Sequence, residues 1–279
     1  GIVEGLIEDY PYSVFPTMVT TERPDKVAAG LMEGKVGIIM DGTPFCLLAP
    51  GTLPDFFQAS DDYYEKWLAG TYFRFLRYVS AFFAATSPAI FVAITTFHPG
   101  LIPTPLTVTI ANARLGIPFP AFIEALIMEA LLEILQEAGI RLPKTVGPAV
   151  SIVGGLVIGE ATVRAGLISA PMVIVIAFTA IASFNVANYR INLLVRLLRI
   201  PFLILGATFG MFGVLVGLLA VGVHISLMES FGVPYLAPII PRNSGELTDL
   251  KDTLIVVPPG FMDERPAYLS PQDSKRQKS

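Results

Sequence analysis

The stretch GGLVIGEATVRAG, residues 154–166, carries two opposite charges in one of the most apolar parts of the chain. Glu160 and Arg164 are four residues apart, so on a helix they share a face and partly neutralise each other. A charge at the centre of a bilayer costs about 2.5–3.5 kcal/mol on insertion scales, so such residues usually face a bundle interior or water. We therefore predict that this helix lines an aqueous path. The pore-lining candidates are Gly155, Gly159, Glu160, Val163 and Arg164. The alternative is a simple ion pair at a membrane boundary.

A second set of carboxylates recurs at every fourth residue, at Glu129, Glu133 and Glu137. On a helix these three form one stripe, and rings of carboxylates attract cations when a subunit is repeated around an axis. We take them as candidates for the wall of an acidic vestibule. The alternative is a solvated helix face, on which Arg141 and Lys144 pair with the stripe.

The remaining reactive side chains indicate neither catalysis nor metal binding. His98 and His224 are isolated, with no Cys, Asp or His at ligand spacing. Cys46 is the only cysteine, so the chain has no internal disulfide. Hydrolase, P-loop and dinucleotide-binding motifs are absent from the sequence. We predict no enzyme activity, no catalytic residue, no cofactor and no metal.

The composition is that of a membrane protein. Of 279 residues 53% are hydrophobic and only 15% are charged, against roughly a quarter charged in soluble domains, and the mean hydropathy is +0.64. The net charge of −4 leaves no basic face for nucleic acid. The chain starts at Gly1 without a Met or a signal sequence, so we expect a fragment that lacks its N-terminal portion.

The first 70 residues read as a soluble α/β segment. A helix is expected after Thr21 or Asp25 as N-cap, with Gly34 as its stop. Two short apolar runs, residues 36–40 and 45–48, flank Asp41-Gly42 and predict a β-hairpin.

The following residues alternate between apolar helices and Pro-rich connections. Residues 79–97 are long enough to cross a bilayer, and Trp67, Tyr72, Tyr78, Arg74 and Arg77 precede them as interfacial anchors do. Residues 98–120 are expected to be irregular. Further segments are a helix that Pro120 and Gly139 bracket, apolar segments at 148–168 and 171–184, an interfacial helix at 185–199 and the longest apolar run at 200–228.

Small residues recur in the last of these runs, at Gly206, Gly210, Gly213 and Gly217. Such a pattern lets helices approach closely in lipid, so we take these glycines as helix-packing positions. The interfacial helix carries Arg190, Arg196 and Arg199, which we expect to face lipid. The alternative is that these arginines bind lipid phosphates or a partner subunit.

Taken together, these patterns predict an α-helical polytopic membrane protein with a partial soluble α/β domain at its N-terminus. The domain boundaries we expect are 1–70 for the end of the soluble domain, 71–238 for the membrane domain and 239–279 for a polar tail.

Eight stretches, in order along the chain, carry a resemblance to a known family. They are VFPTMVTTERPD, GKVGIIMDGTPFCLLAP, FFQASDDYYEKW, PAIFVAITTFHPGLIPTPL, EALIMEALLEILQEAGIRLP, GGLVIGEATVRAGLIS, IVIAFTAIASF and SFGVPYLAP. The sequence resembles the A subunits of GerA-type germinant receptors, which lie in the inner membrane of bacterial endospores.

This resemblance implies a receptor complex with B and C subunits, a cytoplasmic location for the soluble domain and the tail, and homo-oligomerisation into a nutrient-gated channel for monovalent cations. Two alternatives stay open. A secondary transporter also keeps paired charges in broken helices, although residues 79–138 and 148–228 show no repeat. A non-conducting scaffold subunit would need the glycines for helix packing but not the charges.

Overall fold

A computed structural model describes residues 2–141, 154–155, 159–186 and 188–239, together with the single residues 253, 255, 256, 265, 266 and 269. The chain is mostly helical. Its helices are α1 Ile2–Ile7, α2 Pro24–Glu33, α3 Leu53–Phe57, α4 Trp67–Phe97, α5 Thr104–Ala113, α6 Ala121–Arg141, α7 Ala170–Phe184 and α8 Tyr189–Leu227, with short 3₁₀ turns at Ser60–Tyr63 and Pro99–Leu101. The strands are β1 Val19–Thr21, β2 Val36–Ile39, β3 Cys46–Ala49, β4 Glu229–Ser230 and β5 Val233–Pro234.

The chain divides into two compact units. The first comprises residues 1–79, 185–194 and 220–279, and the second comprises residues 80–184 and 195–219. The predicted boundaries at residues 70 and 238 separate soluble from membrane-embedded regions, and they stay predictions.

The first unit contains a three-stranded antiparallel sheet in the order β1-β3-β2. The expected hairpin is present: β2 pairs with β3, with Val36 opposite Ala49 and Ile39 opposite Cys46. Gly42 in the connecting turn has φ +82°, a conformation that favours glycine. Met18, Leu47 and Ala49 form the core of this sheet.

Helix α2 ends as the sequence predicts and begins differently. Gly34 caps its C-terminus in the left-handed region, at φ +102°. The N-cap is Arg23, not Thr21 or Asp25, and it makes no side-chain cap. Pro24 fixes the first helical position, and Asp25 is engaged by the Arg23 guanidinium at 2.9 Å instead of capping the helix.

The second unit is built on helices α4, α6 and α7. Its core contains Val92 of α4, Ala125 and Met128 of α6, and Met172 and Ile176 of α7. Helix α6 begins where Pro120 predicts but continues through Gly139 to Arg141. The expectation of irregular backbone at residues 98–120 is wrong in part, because Thr104–Ala113 forms α5.

Helix α8 is a helical hairpin. Gly210 has φ +63° and ψ −145°, which is outside the helical region. A Cβ built on Gly217 would lie 2.8 Å from Cε1 of Phe202, although residues 15 positions apart on a straight helix are separated by roughly 22 Å. The second arm of α8 is therefore folded back along the first. The sequence placed the boundary between residues 199 and 200, and the structure places the break ten residues later.

Two of the described helices, Trp67–Phe97 and Tyr189–Leu227, are long and apolar enough to cross a membrane by length and composition. The apolar segment expected at 148–168 lies partly outside the described residues. Its described part includes a helical stretch, residues 159–164, that leads into α7.

Candidate functional site

Two helices of the second unit present complementary charged stripes, which together we call the charge ladder. Helix α6 contributes Glu129 and Glu133, and the first arm of α8 contributes Arg196 and Arg199. Arg199 Nη1 lies 3.2 Å from Glu129 Oε2. Arg196 Nε donates to Glu133 Oε2 at 3.0 Å, and its Nη2 also contacts Glu133 Oε1. The earlier carboxylate pairs with the later arginine, so the two stripes run antiparallel.

Burial is deepest at the Glu129 end of the ladder. The side chain of Arg199 is 3% exposed and that of Glu129 is 10% exposed, whereas Glu133 is 52% exposed. Arg199 Nε also donates to the carbonyl of Ala84 in α4, at 2.8 Å. One guanidinium thus connects α4, α6 and α8. Because an unpaired buried charge is very costly, these contacts are strong determinants of the helix arrangement.

The expectation that Arg190, Arg196 and Arg199 face lipid is wrong. Arg196 and Arg199 belong to the charge ladder, and Arg190 pairs with Glu4 of α1 inside the first unit. The physical reason is that a carboxylate partner stabilises a guanidinium in low dielectric more than partial exposure to an interface does.

The acidic stripe of α6 is divided between two environments. Glu129 and Glu133 are engaged by arginines from α8, whereas Glu137 pairs with Arg141 one turn along the same helix, at 2.7 Å. The local pair was considered from the sequence, but the distant partners were not. Arg196 and Arg199 could have been found by matching two polar helix stripes of opposite sign. The vestibule role of the three carboxylates stays a prediction.

A further buried carboxylate, Glu124, was missed from the sequence. Glu124 is fully buried at the start of α6, and its Oε1 lies 3.2 Å from Arg114 Nη2. Its Oε2 accepts a hydrogen bond from the backbone N–H of Ser169, at 2.8 Å. Glu124 therefore fixes the connection before α7 to the start of α6. No local pattern indicates this, since its partners lie 10 and 45 residues away.

At the start of α4, Asp62 binds two arginines that were expected to be interfacial anchors. Arg77 Nη1 donates to Asp62 Oδ2 at 2.9 Å, and Arg74 Nε lies 3.6 Å from the same oxygen. All three side chains are less than a tenth exposed. Trp67 and Tyr72 are exposed, so only part of the anchor prediction agrees with the structure.

The predicted pore-lining pair, Glu160 and Arg164, is exposed, unlike the buried Arg199–Glu129 pair of the charge ladder. Arg164 Nη2 lies 2.6 Å from Glu160 Oε1, and the side chains are 78% and 53% exposed, respectively. Gly155 is exposed, Val163 is half-buried and Gly159 is buried. A Cβ on Gly159 would lie 3.6 Å from Val173 of α7. This stretch therefore presents one charged outward face and one glycine face against α7.

The predicted helix-packing glycines fall into two kinds of position. A Cβ on Gly206 would lie 2.7 Å from the carbonyl oxygen of Ala89 in α4. Gly213 and Gly217 face Leu205 and Phe202 across the α8 hairpin. Gly210 instead forms the break itself, where a Cβ would lie 2.9 Å from Cε1 of His98. Three of the four glycines thus permit close packing, and Gly210 allows the chain to reverse direction.

In the part of the chain that the structure describes, no group of three or more His, Cys, Asp or Glu side chains is arranged to hold a metal ion. His224 Nε2 lies 3.0 Å from the Ser13 hydroxyl. Cys46 is a buried free thiol.

The fold and these sites define a mostly helical protein with a small α/β portion, in which buried ion pairs tie apolar helices together. The family model described as Bacillus/Clostridium GerA spore germination protein matches residues 1–268. The chain belongs to this family, as its motifs predict.

Relatives match over almost the whole chain. Spore germination protein KA of Bacillus subtilis is 48% identical over 277 residues, which cover 99% of this chain and 50% of that protein. Spore germination protein B1 of the same organism is 44% identical, with coverages of 100% and 57%. The B. subtilis protein YfkQ, described as an uncharacterized membrane protein, is 48% identical, with coverages of 97% and 52%. The chain thus spans about half the length of these relatives. No solved structure gives a significant match.

Proposed function

We propose that this chain is the membrane portion of a spore germinant-receptor subunit, and that copies of it assemble around an axis to form a nutrient-gated pathway for monovalent cations. In this proposal the protein is a polytopic component of the spore inner membrane or the cell membrane, works with B and C subunits, and has no enzymatic role. Family membership supports the place in germination. The helix that carries Glu160 supports the pathway.

The observation that carries the proposal is the exposure of the Glu160–Arg164 pair. Both side chains are more than half exposed, on a stretch whose other residues are Gly, Leu, Val, Ile, Ala and a single Thr. Facing hydrocarbon, such a pair would be strongly unfavourable, so water or another subunit must cover it. A ring of copies meets both needs, because each helix then faces a shared aqueous centre.

The mechanism follows from the contrast in packing around this helix. Its buried glycine, Gly159, contacts α7 without a bulky side chain, so a small rotation against α7 requires little repacking. Such a rotation would widen the path along 148–166 when the nutrient signal arrives. Glu160 would attract cations, and Arg164 would limit the local negative charge. Glu133 and Glu137, which are about half exposed, would form the acidic approach to this path, whereas Glu129 is buried against Arg199.

Ion release from spores tests the role of Glu160. In Glu160→Gln spores we expect slower release of monovalent cations after the nutrient is added, because the pathway loses a carboxylate. Glu65→Gln, at an exposed position in the connection before α4, is the control and should release ions like the parent. Release at the parental rate in Glu160→Gln would remove Glu160 from the pathway.

Water access tests the pathway separately from its selectivity. Replacing Cys46 with Ser gives a chain without thiols, into which Glu160→Cys or Ile181→Cys is introduced. Ile181 is an exposed apolar residue of α7 and represents a lipid-facing position. A charged, membrane-impermeant thiol reagent should modify position 160 and leave position 181 unmodified. Equal protection of the two positions contradicts the proposal.

A secondary transporter is the second candidate, and the break at Gly210 favours it. Transporters place interrupted helices around their substrate sites, and α8 is interrupted inside an apolar run. Purified protein in planar bilayers separates the two functions. Single-channel current steps support the channel, whereas solute uptake that saturates without current steps supports the transporter.

A further inference from the structure

A cavity of about 570 Å³ lies in the first unit, beside α2, the sheet and the turn before α4. This volume is within the range of small-molecule sites, roughly 300–1,000 Å³. Its apolar floor includes Val19 and Leu48, which are 1% and 2% exposed. The exposed rings of Tyr63 and Tyr64 form part of its rim.

The charges around the cavity are mostly neutralised within the protein. Lys35 Nζ lies 2.6 Å from Asp55 Oδ1, and both residues are buried. Asp25 is paired with Arg23. Glu33 and Arg265 also line the cavity, and each has an interaction of its own.

Lys26 differs from these groups. Its ammonium group makes no hydrogen bond or ion pair to any residue within the described ranges, and Lys26 lines the cavity. The charged residues that line the cavity are three cations, Lys26, Lys35 and Arg265, and three carboxylates, Asp25, Glu33 and Asp55. Lys26 is therefore distinguished by its lack of a contact with the described residues and not by an overall excess of positive charge. Burial lowers the pKa of Lys26, against the attraction of Asp55. An anion beside this group would therefore relieve an unfavourable environment.

We propose that this cavity is a binding site for a small organic monocarboxylate, with Lys26 as the group that binds its carboxylate. The apolar floor and the tyrosine rims accommodate a hydrocarbon or aromatic body. A dianion such as phosphate is disfavoured, because its second charge would lie near Asp25, Asp55 and Glu33. The site is separate from the Glu160 pathway and does not depend on ion conduction.

Benzoate and benzamide are the probes, because they have the same shape and differ in charge. The full chain is purified in detergent, and binding is followed by ligand-observed NMR and calorimetry. We expect saturable binding of benzoate, about tenfold weaker binding of benzamide, as for the loss of one charge-assisted contact, and no binding of inorganic phosphate.

Substitutions assign the binding to this cavity. Lys26→Gln should weaken benzoate binding about tenfold and leave benzamide binding unchanged, because only the charged contact is removed. Lys26→Arg keeps the positive charge and should therefore retain most of the benzoate affinity. If the lysine stem had only a structural role, the charge of the residue at position 26 would not matter for benzoate binding. Lys66→Gln removes an exposed lysine that does not line the cavity and should bind benzoate like the parent.

Three results would overturn the proposal. They are the absence of saturable benzoate binding to the parent chain, equal benzoate affinity in the parent and a folded Lys26→Gln variant, and phosphate that displaces benzoate at similar concentration. Thermal unfolding of each variant, recorded in the same detergent, identifies any loss of binding that comes from loss of the fold.

Discussion

The charge ladder and the Glu160–Arg164 pair use the same two chemical groups in opposite ways. In the ladder, Arg199 and Glu129 belong to different helices and are both buried. In the pair, both groups belong to one helical turn and are mostly exposed. Buried pairs between helices determine how the chain packs on itself. An exposed pair on an apolar helix contributes little to packing, and in the proposed assembly it faces water or a neighbouring copy.

The two regions also differ in whether all of their polar atoms are hydrogen-bonded. At the buried end of the ladder, Glu129 Oε1 and Arg199 Nη2 make no hydrogen bond to the described residues. Such unsatisfied atoms reduce the net stabilisation that the pair contributes, but removal of one partner would leave the other ion buried without a counter-charge, which costs more. At the exposed pair, solvent satisfies any free oxygen or N–H. The comparison therefore predicts large effects on stability at the ladder and small effects at the pair.

The largest effect is expected from Arg199→Leu. This change leaves Glu129 buried without its cation, and the loss of one partner from a buried pair costs about 3–5 kcal/mol. We expect a marked fall in the midpoint of thermal unfolding in detergent. The double variant Glu129→Leu, Arg199→Leu should recover most of the loss, since no unpaired charge remains. A double variant as unstable as the single one would contradict a pairwise origin.

A somewhat smaller effect is expected at the buried pair in the first unit, Lys35–Asp55. Asp55→Asn leaves Lys35 without its anion, but the asparagine amide oxygen can still accept a hydrogen bond from the Lys35 ammonium group, whereas the leucine in Arg199→Leu offers Glu129 no donor. Denaturant unfolding of the parent, of Asp55→Asn and of Arg199→Leu should place Asp55→Asn in the middle.

The acid dependence of stability sharpens this prediction. Burial raises the pKa of Asp55, but Lys35 and the hydrogen bonds from Thr52 outweigh it, so the pKa is lowered overall. The stabilisation is therefore complete above the pKa of an unfolded aspartate and is lost as the pH falls through the lower, folded value. Unfolding curves from neutral to acidic pH should show this loss in the parent and a weaker one in Asp55→Asn.

An intermediate effect is expected at Gly206, whose contact with α4 holds the first arm of α8 near Ala84. A valine there would meet the Ala89 carbonyl oxygen, and overpacking of this kind costs about 1–3 kcal/mol. Gly222→Val is the matched control in the same helix, because a Cβ there has no heavy atom within 4 Å. Equal unfolding midpoints for the two variants would show that the close approach is not important for stability.

The smallest effect on stability is expected from Glu160→Gln. An exposed pair at this spacing contributes about 0.2–0.5 kcal/mol to a helix. The unfolding midpoint should stay close to that of the parent while cation release from spores changes. A large loss of stability would place Glu160 with the ladder and remove the distinction between the two regions.

Local features of the structure were predictable from the sequence. The turn at Asp41-Gly42, the stop at Gly34 and the polar stripes of α6 and α8 all follow from residues close together in the chain. The partners of those stripes did not follow. Glu129 and Arg199 are 70 residues apart, and many pairings satisfy the same spacing. Packing of distant helices selects one of them.

The four glycines of α8 show the same limit of prediction from sequence. Four glycines at helical spacing indicate close contact, but nothing in the spacing distinguishes Gly210 from its neighbours. The contacts of Phe97 and His98 with this position come from a helix more than a hundred residues earlier. For the candidate site, the sequence identified the charged helix around Glu160 and missed Glu124 and Asp62, whose burial depends on tertiary structure.

The reversal at Gly210 also changes the membrane topology that is expected for the protein. A 39-residue apolar helix would ordinarily be assigned one passage through a bilayer, which would put the residues after it across from those before it. Because α8 reverses direction at Gly210, its second arm returns through any bilayer to the side from which the first arm entered. We therefore predict that Met228 lies in the same compartment as Asn188, and that reporter fusions on either side of α8 give the same orientation.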